Sequence, residues 1–83
     1  MEYDKDKVDE LTLALLWLVM WDDTYSARAW KGFDWDTMGR LHAKGYISDP
    51  KGKAKSVAVT PEGREKAEGL FEKHFGKDKE NGR

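Results

Sequence analysis

Three lysines at alternate positions, Lys51, Lys53 and Lys55 in KGKAK, are the plainest source of chemistry in this sequence. Ammonium groups spaced this way along a turn and strand edge can contact successive phosphates. They equally suit a solvated turn that guards an edge strand. The aromatic group Trp30, Phe33 and Trp35 in AWKGFDW is the second feature. Exposed, it would be a stacking platform or an interaction hot spot, with Arg28 and Lys31 beside it. Buried, it would wedge a short helix against the core. His42 and His74 are the only histidines and cysteine is absent, so the three or four converging ligands of a zinc centre are not expected. Asp22/Asp23 and Asp34/Asp36 offer oxygen donors without the spacing of a calcium loop. No nucleophile–base set, phosphate loop or GxGxxG can be named. The expectation is a non-enzymatic protein with no cofactor and no metal.

Size and charge narrow the partner. The 83 residues suffice for one domain, expected over 1–76, with a disordered polar tail at 77–83. The net charge of −1 hides an asymmetry: residues 1–37 carry nine acids and four bases, residues 38–83 eleven bases and seven acids. A basic half is a weaker pointer to nucleic acid than a basic whole. The acidic start does not read as a signal peptide, and the apolar run Leu11–Trp21 is too short to span a bilayer. A cytoplasmic protein with no membrane contact is expected.

The elements that would position these groups are legible in part. A first helix should start near Asp4 or Asp6 and run to about Trp21, with Val8, Leu11, Leu15 and Leu18 on one stripe. Leu13, Leu16, Trp17 and Met20 fill the other faces, so this helix is apolar nearly all round. In so small a domain, one of two things must cover it: later helices on both sides, or a second copy of the chain. A homodimer through Leu13, Leu16, Trp17 and Met20 is the expectation, with Trp30 and Trp35 as further interface residues. Thr24 and Tyr25 allow a minimal strand. Ser26 caps a short second helix over Ala27–Lys31, stopped by Gly32. Asp34 caps a third helix, Trp35–Lys44. Gly45 then ends it in a Schellman motif that joins Leu41 to Tyr46. Tyr46-Ile47, the turn Asp49-Pro50-Lys51-Gly52 and the alternating Val57 and Val59 make a small β-hairpin. Thr60 caps a fourth helix starting at Pro61 and ending near Phe75, in which Gly63 is a weak helix former. The resulting fold class is mainly α with a small β-hairpin, in the order helix-helix-helix-strand-wing-strand-helix of a winged helix.

LHAKGYI, a turn, then VAVTPEGREKAEGLF is similar to the region of MarR-like and PadR-like regulators where the recognition helix passes into the wing. A second resemblance is closer. MEYDKDKVDELTLALL, RAWKGFDWD and LHAKGYISDPKGKAKSV resemble a family of small bacterial proteins catalogued as a domain of unknown function, over about residues 1–75. The regulator likeness implies duplex DNA binding, with Thr37, Arg40 and Lys44 facing the major groove and Lys51, Lys53 and Lys55 the backbone or minor groove. The chain departs from that pattern at Asp34-Trp35-Asp36, where carboxylates would meet phosphate at the base-reading end of the helix. Two partners are therefore left open: double-stranded DNA, and another protein bound or inhibited by the same fold.

Overall fold

The computed structural model describes residues 1–23 and 26–77, and shows three α-helices and a three-stranded antiparallel sheet. The strand expected at Thr24 and Tyr25 lies outside the described residues, as does the expected tail beyond Lys77.

Helix α1 (Lys5–Leu16) is capped by Asp4, whose carboxylate accepts from the Lys7 amide at 3.0 Å. It stops five residues before the expected end. Trp17–Val19 tightens into a 3₁₀ turn, and Met20–Asp22 becomes strand β1. This corrects the expectation of one helix through Trp21, and the all-round apolar pattern then has a simple cause. The run serves two kinds of element. Leu13, Ala14 and Leu16 enter the core from the helix, whereas Met20 and Trp21 belong to a pleated sheet. Leu13 and Leu16, expected at a dimer interface, are 1% and 0% exposed and fill the chain's own core. Trp17 and Met20 pack against the same core.

The second correction concerns Ala27–Lys31. Residues Ala27–Trp30 form β2, the central strand, not a short helix. A five-residue helix cannot repay its nucleation cost, whereas an extended ARAW pairs on both sides. Met20, Trp21 and Asp22 face Ala29, Arg28 and Ala27. On the other side Ala27, Arg28, Ala29 and Trp30 face Val59, Ala58, Val57 and Ser56 of β3 (Ser56–Val59). With this segment extended, no helix stands directly before the third one. The helix-helix-helix start of the expected order is replaced by helix, hairpin, helix.

The second half follows the local chemistry. Helix α2 (Trp35–Ala43) is capped by Asp34. It closes with the Gly45 amide on His42 O at 2.9 Å and the Tyr46 amide on Leu41 O at 3.1 Å, and Gly45 at φ 85° takes the left-handed position of the Schellman motif. The first arm of the expected hairpin shrinks to a single bridge, Ile47 to Val59. Helix α3 (Pro61–Phe75) begins at the Thr60 cap, whose hydroxyl accepts from the Gly63 amide at 2.9 Å. Ala27, Ala29, Val57 and Val59 turn one face of the sheet inward, onto Leu13, Leu16, Met38, Leu41, Ala67 and Leu70 of the helices. A two-layer packing of this kind covers one sheet face and leaves the other open.

Candidate functional site

The helix stripe expected to read DNA is occupied from within. Thr37 is fully buried. Its hydroxyl donates to Asp34 Oδ2 at 2.8 Å and accepts from Arg40 Nη2 at 3.0 Å. Arg40 Nε sits 2.8 and 3.0 Å from the two carboxylate oxygens of Asp9. Lys44 Nζ donates to Asp9 Oδ2 at 2.9 Å and to Asp6 Oδ1 at 3.3 Å. The α1 carboxylates therefore neutralise the α2 cations across the helix interface, and Thr37, Arg40 and Lys44 do not form an outward basic stripe. The protonation energetics agree. The bond to Asp9 raises the pKa of Arg40, and also that of Lys44, to which Asp6 adds. The Thr37 hydroxyl and amide hold the Asp34 carboxyl below its ordinary value. Asp9, with a side chain 2% exposed, is the residue sequence reasoning missed. It lies on the apolar face of α1, one residue past Val8 and four before Leu13, and an acid inside such a stripe was the available signal.

Both histidines are also engaged. His42 Nδ1 lies 3.0 Å from Ile47 O, which can only accept, so the proton is on Nδ1. His74 Nε2 meets Glu10 Oε2 at 2.5 Å and ties α3 to α1. This hydrogen bond, helped by the charges of Lys73 and Lys7 and opposed by partial burial, keeps Glu10 below the usual carboxylate range. Among the described residues no group of three His, Cys, Asp or Glu side chains could hold a metal ion. No helix among them is long and apolar enough to cross a membrane.

Part of what remains outward lies on the open sheet face. Strand alternation puts Trp21, Arg28 and Trp30 opposite the buried Ala27 and Ala29, with Ala58 and Ser56 as their β3 partners. The rings of Trp21 and Trp30 stand 4.8 Å apart at 45°, a tilted pair, and Trp30 stays 52% exposed. Arg28 reaches over β3, donating from Nε to Ser56 Oγ at 2.9 Å and from Nη2 to Ser56 O at 3.1 Å. Ser56 and Ala58 are small, so the floor between the tryptophans and the far edge is low.

The lysine turn joins this face at the Trp30–Ser56 end. Lys31 Nζ donates to Pro50 O and Gly52 O, both at 2.6 Å, and the Lys31 amide bonds Lys55 O at 3.1 Å. Asp49 Oδ1 accepts from the Lys51 amide at 3.0 Å. The turn is thus clamped through its carbonyls, which leaves the side chains of Lys51, Lys53 and Lys55 exposed. The expected aromatic group disperses. Trp30 pairs with Trp21, Phe33 packs on the core, and Trp35, 57% exposed, borders a shallow recess with Tyr3 and Arg40. The missed partner is Trp21, because the expected helix placed it away from Trp30.

Comparison with known proteins agrees with the closer of the two resemblances. Residues 4–77 match the model of a family described as a domain of unknown function, DUF6429. An uncharacterized protein of Sinorhizobium fredii, y4hR, is 49% identical over 75 residues, covering 90% of this chain and 97% of that protein. No solved structure matches.

Proposed function

We propose that this chain, which belongs to the DUF6429 family, is a non-enzymatic binding module of the cytoplasm. Its contact surface is the open sheet face with the adjoining lysine turn. The observation that carries this reading is the half-exposed Trp30 held against Trp21 on a sheet face that no element among the described residues covers. Large aromatics left on an open sheet surface beside an arginine are the composition of interaction hot spots. Both histidines are spent on structural hydrogen bonds, which supports a non-catalytic role. A photo-crosslinking side chain at position 30 is expected to give macromolecular adducts in the native cell. The same group at position 68, on the exposed side of α3, should give few. Equal yields at the two positions would remove the sheet face from consideration.

A second reading keeps the regulator likeness. Helix α2, the Ile47 bridge, the lysine turn, β3 and α3 run in the order of the second half of a winged helix, and on this reading Lys51, Lys53 and Lys55 would meet duplex backbone. This reading rests on the turn alone, since Arg40 and Lys44 are engaged by Asp9.

We also propose that self-association, expected through the first helix, uses Leu15 and Leu18, which stay 38% and 64% exposed, in place of the buried Leu13 and Leu16. Sedimentation at high concentration should then give about twice the 9.6 kDa chain mass. Leu18→Glu should return a folded monomer. A wild-type protein that stays at the single-chain mass would sink the dimer.

A further inference from the structure

We infer that the open sheet face binds single-stranded nucleic acid, with bases stacking on Trp30 and Trp21 and phosphates meeting Arg28 and the lysine turn. This rests on the reading of that face as the contact surface, and it specifies the occupant by charge.

The electrostatics of the face are one-sided. Arg28 lies on this face, and Lys31, Lys51, Lys53 and Lys55 belong to the turn region that adjoins its Trp30–Ser56 end, with Asp49 the one carboxylate in the turn segment 48–55. The ion pairs of the described residues engage Asp6, Asp9, Glu10 and Asp22 with other cations and leave these five without a carboxylate partner. Lys31 and Arg28 are held by carbonyl and hydroxyl oxygens, which orient a cation without cancelling its charge. The chain as a whole carries a net charge of −1, so a local excess of this kind is not the general colour of the surface. The partner it complements is an anion.

Shape selects the kind of anion. An open antiparallel face with two tryptophans and a low floor of Ser56 and Ala58 offers aromatic rings to planar groups. Bases expose such planes only when unpaired, and stacking on aromatic side chains with cations tracking the backbone is how open sheets hold single strands. A duplex hides its base faces, and α2, the element that would enter its groove, turns its cations inward to Asp9. An acidic protein would use the lysines but has no call on the exposed Trp30 indole beyond apolar contact.

The test uses the full chain with fluorescently labelled oligothymidylate and oligouridylate of about ten nucleotides, a duplex of equal length, and a polyglutamate peptide. Both single strands should bind and quench tryptophan emission. Trp30→Ala should weaken them roughly tenfold or more, and Trp30→Phe much less, since a phenyl ring still stacks. A circular-dichroism melt of each variant reports whether the fold is kept. Lys51→Glu with Lys53→Glu should flatten the dependence of log K on log salt by about 1.4, the share of two phosphate contacts on a single strand. Duplex binding as tight as single-strand binding and indifferent to Trp30→Ala would overturn the inference. So would capture of polyglutamate in place of the oligonucleotides, although the face would then still be a contact surface. Binding to no probe while position 30 still crosslinks in cells would refute the nucleic acid and spare the module. Failure of both would refute both.

Discussion

Asp9→Asn is expected to destabilise the protein by about 3 kcal/mol, the lower end of the cost of removing one partner from a buried ion pair. Its carboxylate is almost wholly buried and receives Arg40 Nε on both oxygens and Lys44 Nζ on one. An amide of the same size removes the charge and turns N–H donors toward two cations. The cations themselves are 25% and 39% exposed, so water recovers part of the loss, which is why the lower end applies. A domain of this size has about 4–12 kcal/mol in total, and each kcal/mol moves the midpoint by about 4–8 °C. A fall of about 12 °C or more in the thermal midpoint should result. Joint replacement of Asp9 by Leu and Arg40 by Met should recover much of it, because a buried pair exchanged for apolar groups is often neutral. A loss under about 1 kcal/mol, the range of exposed pairs, would mean that α1 and α2 are not held by charge.

The second large effect concerns two glycines of one helix that should respond with opposite sign. A Cβ on Gly63 would lie 2.1 Å from Tyr46 O and 2.9 Å from Tyr46 C, both backbone atoms that no rotamer change can clear. Tyr46 O also accepts from the Thr60 amide at 3.0 Å and the Thr60 hydroxyl donates to the neighbouring Gly45 O at 2.8 Å, so the first turn of α3 is pressed onto the exit of α2. Helix propensity alone predicts a gain of about 1 kcal/mol from glycine to alanine. Overpacking against fixed backbone costs more, and Gly63→Ala should lose about 2 kcal/mol net. Gly69 has nothing within 4 Å of its added Cβ. Gly69→Ala should therefore collect the propensity gain and raise the midpoint. Urea melts of the two variants check the pair, and a Gly63→Ala protein as stable as the wild type would show that the contact relaxes cheaply. The residue that reads from sequence as a weak helix former is there because a backbone passes too close for anything larger.

The parts of the fold legible in the sequence are those decided within a few residues. Asp34 and Thr60 cap α2 and α3, Gly45 closes the Schellman motif between Leu41 and Tyr46, and Pro61 opens a helix that runs to Phe75. Each outcome depends on groups adjacent in the chain, so sequence carries the whole cause. The first half is different. Nothing in LTLALLWLVMW breaks a helix, and nothing in ARAWK forbids one. What turns Met20–Asp22 and Ala27–Trp30 into strands is that each gives the other a hydrogen-bonding partner, and that β3 arrives from nearly thirty residues later to pair Val57 with Ala29.

The site divides along the same line. Sequence by itself determined that the three turn lysines would be exposed on a basic turn, because proline and glycine chemistry set that turn locally. For Trp30 it left two outcomes open, a ring wedged against the core and a ring facing outward, and the fold leaves Trp30 52% exposed. Only the tertiary structure decided the rest. It brought Asp9 from α1 against Arg40 and Lys44 and so paired the charges of the helix stripe within the chain. It paired Trp21 with Trp30 across β1 and β2, and it fixed the turn to the sheet through Lys31. Spacing along one element tells which side chains share a face. Whether that face meets water, a carboxylate or another ring depends on elements far away in sequence, and that is a property of the packed molecule.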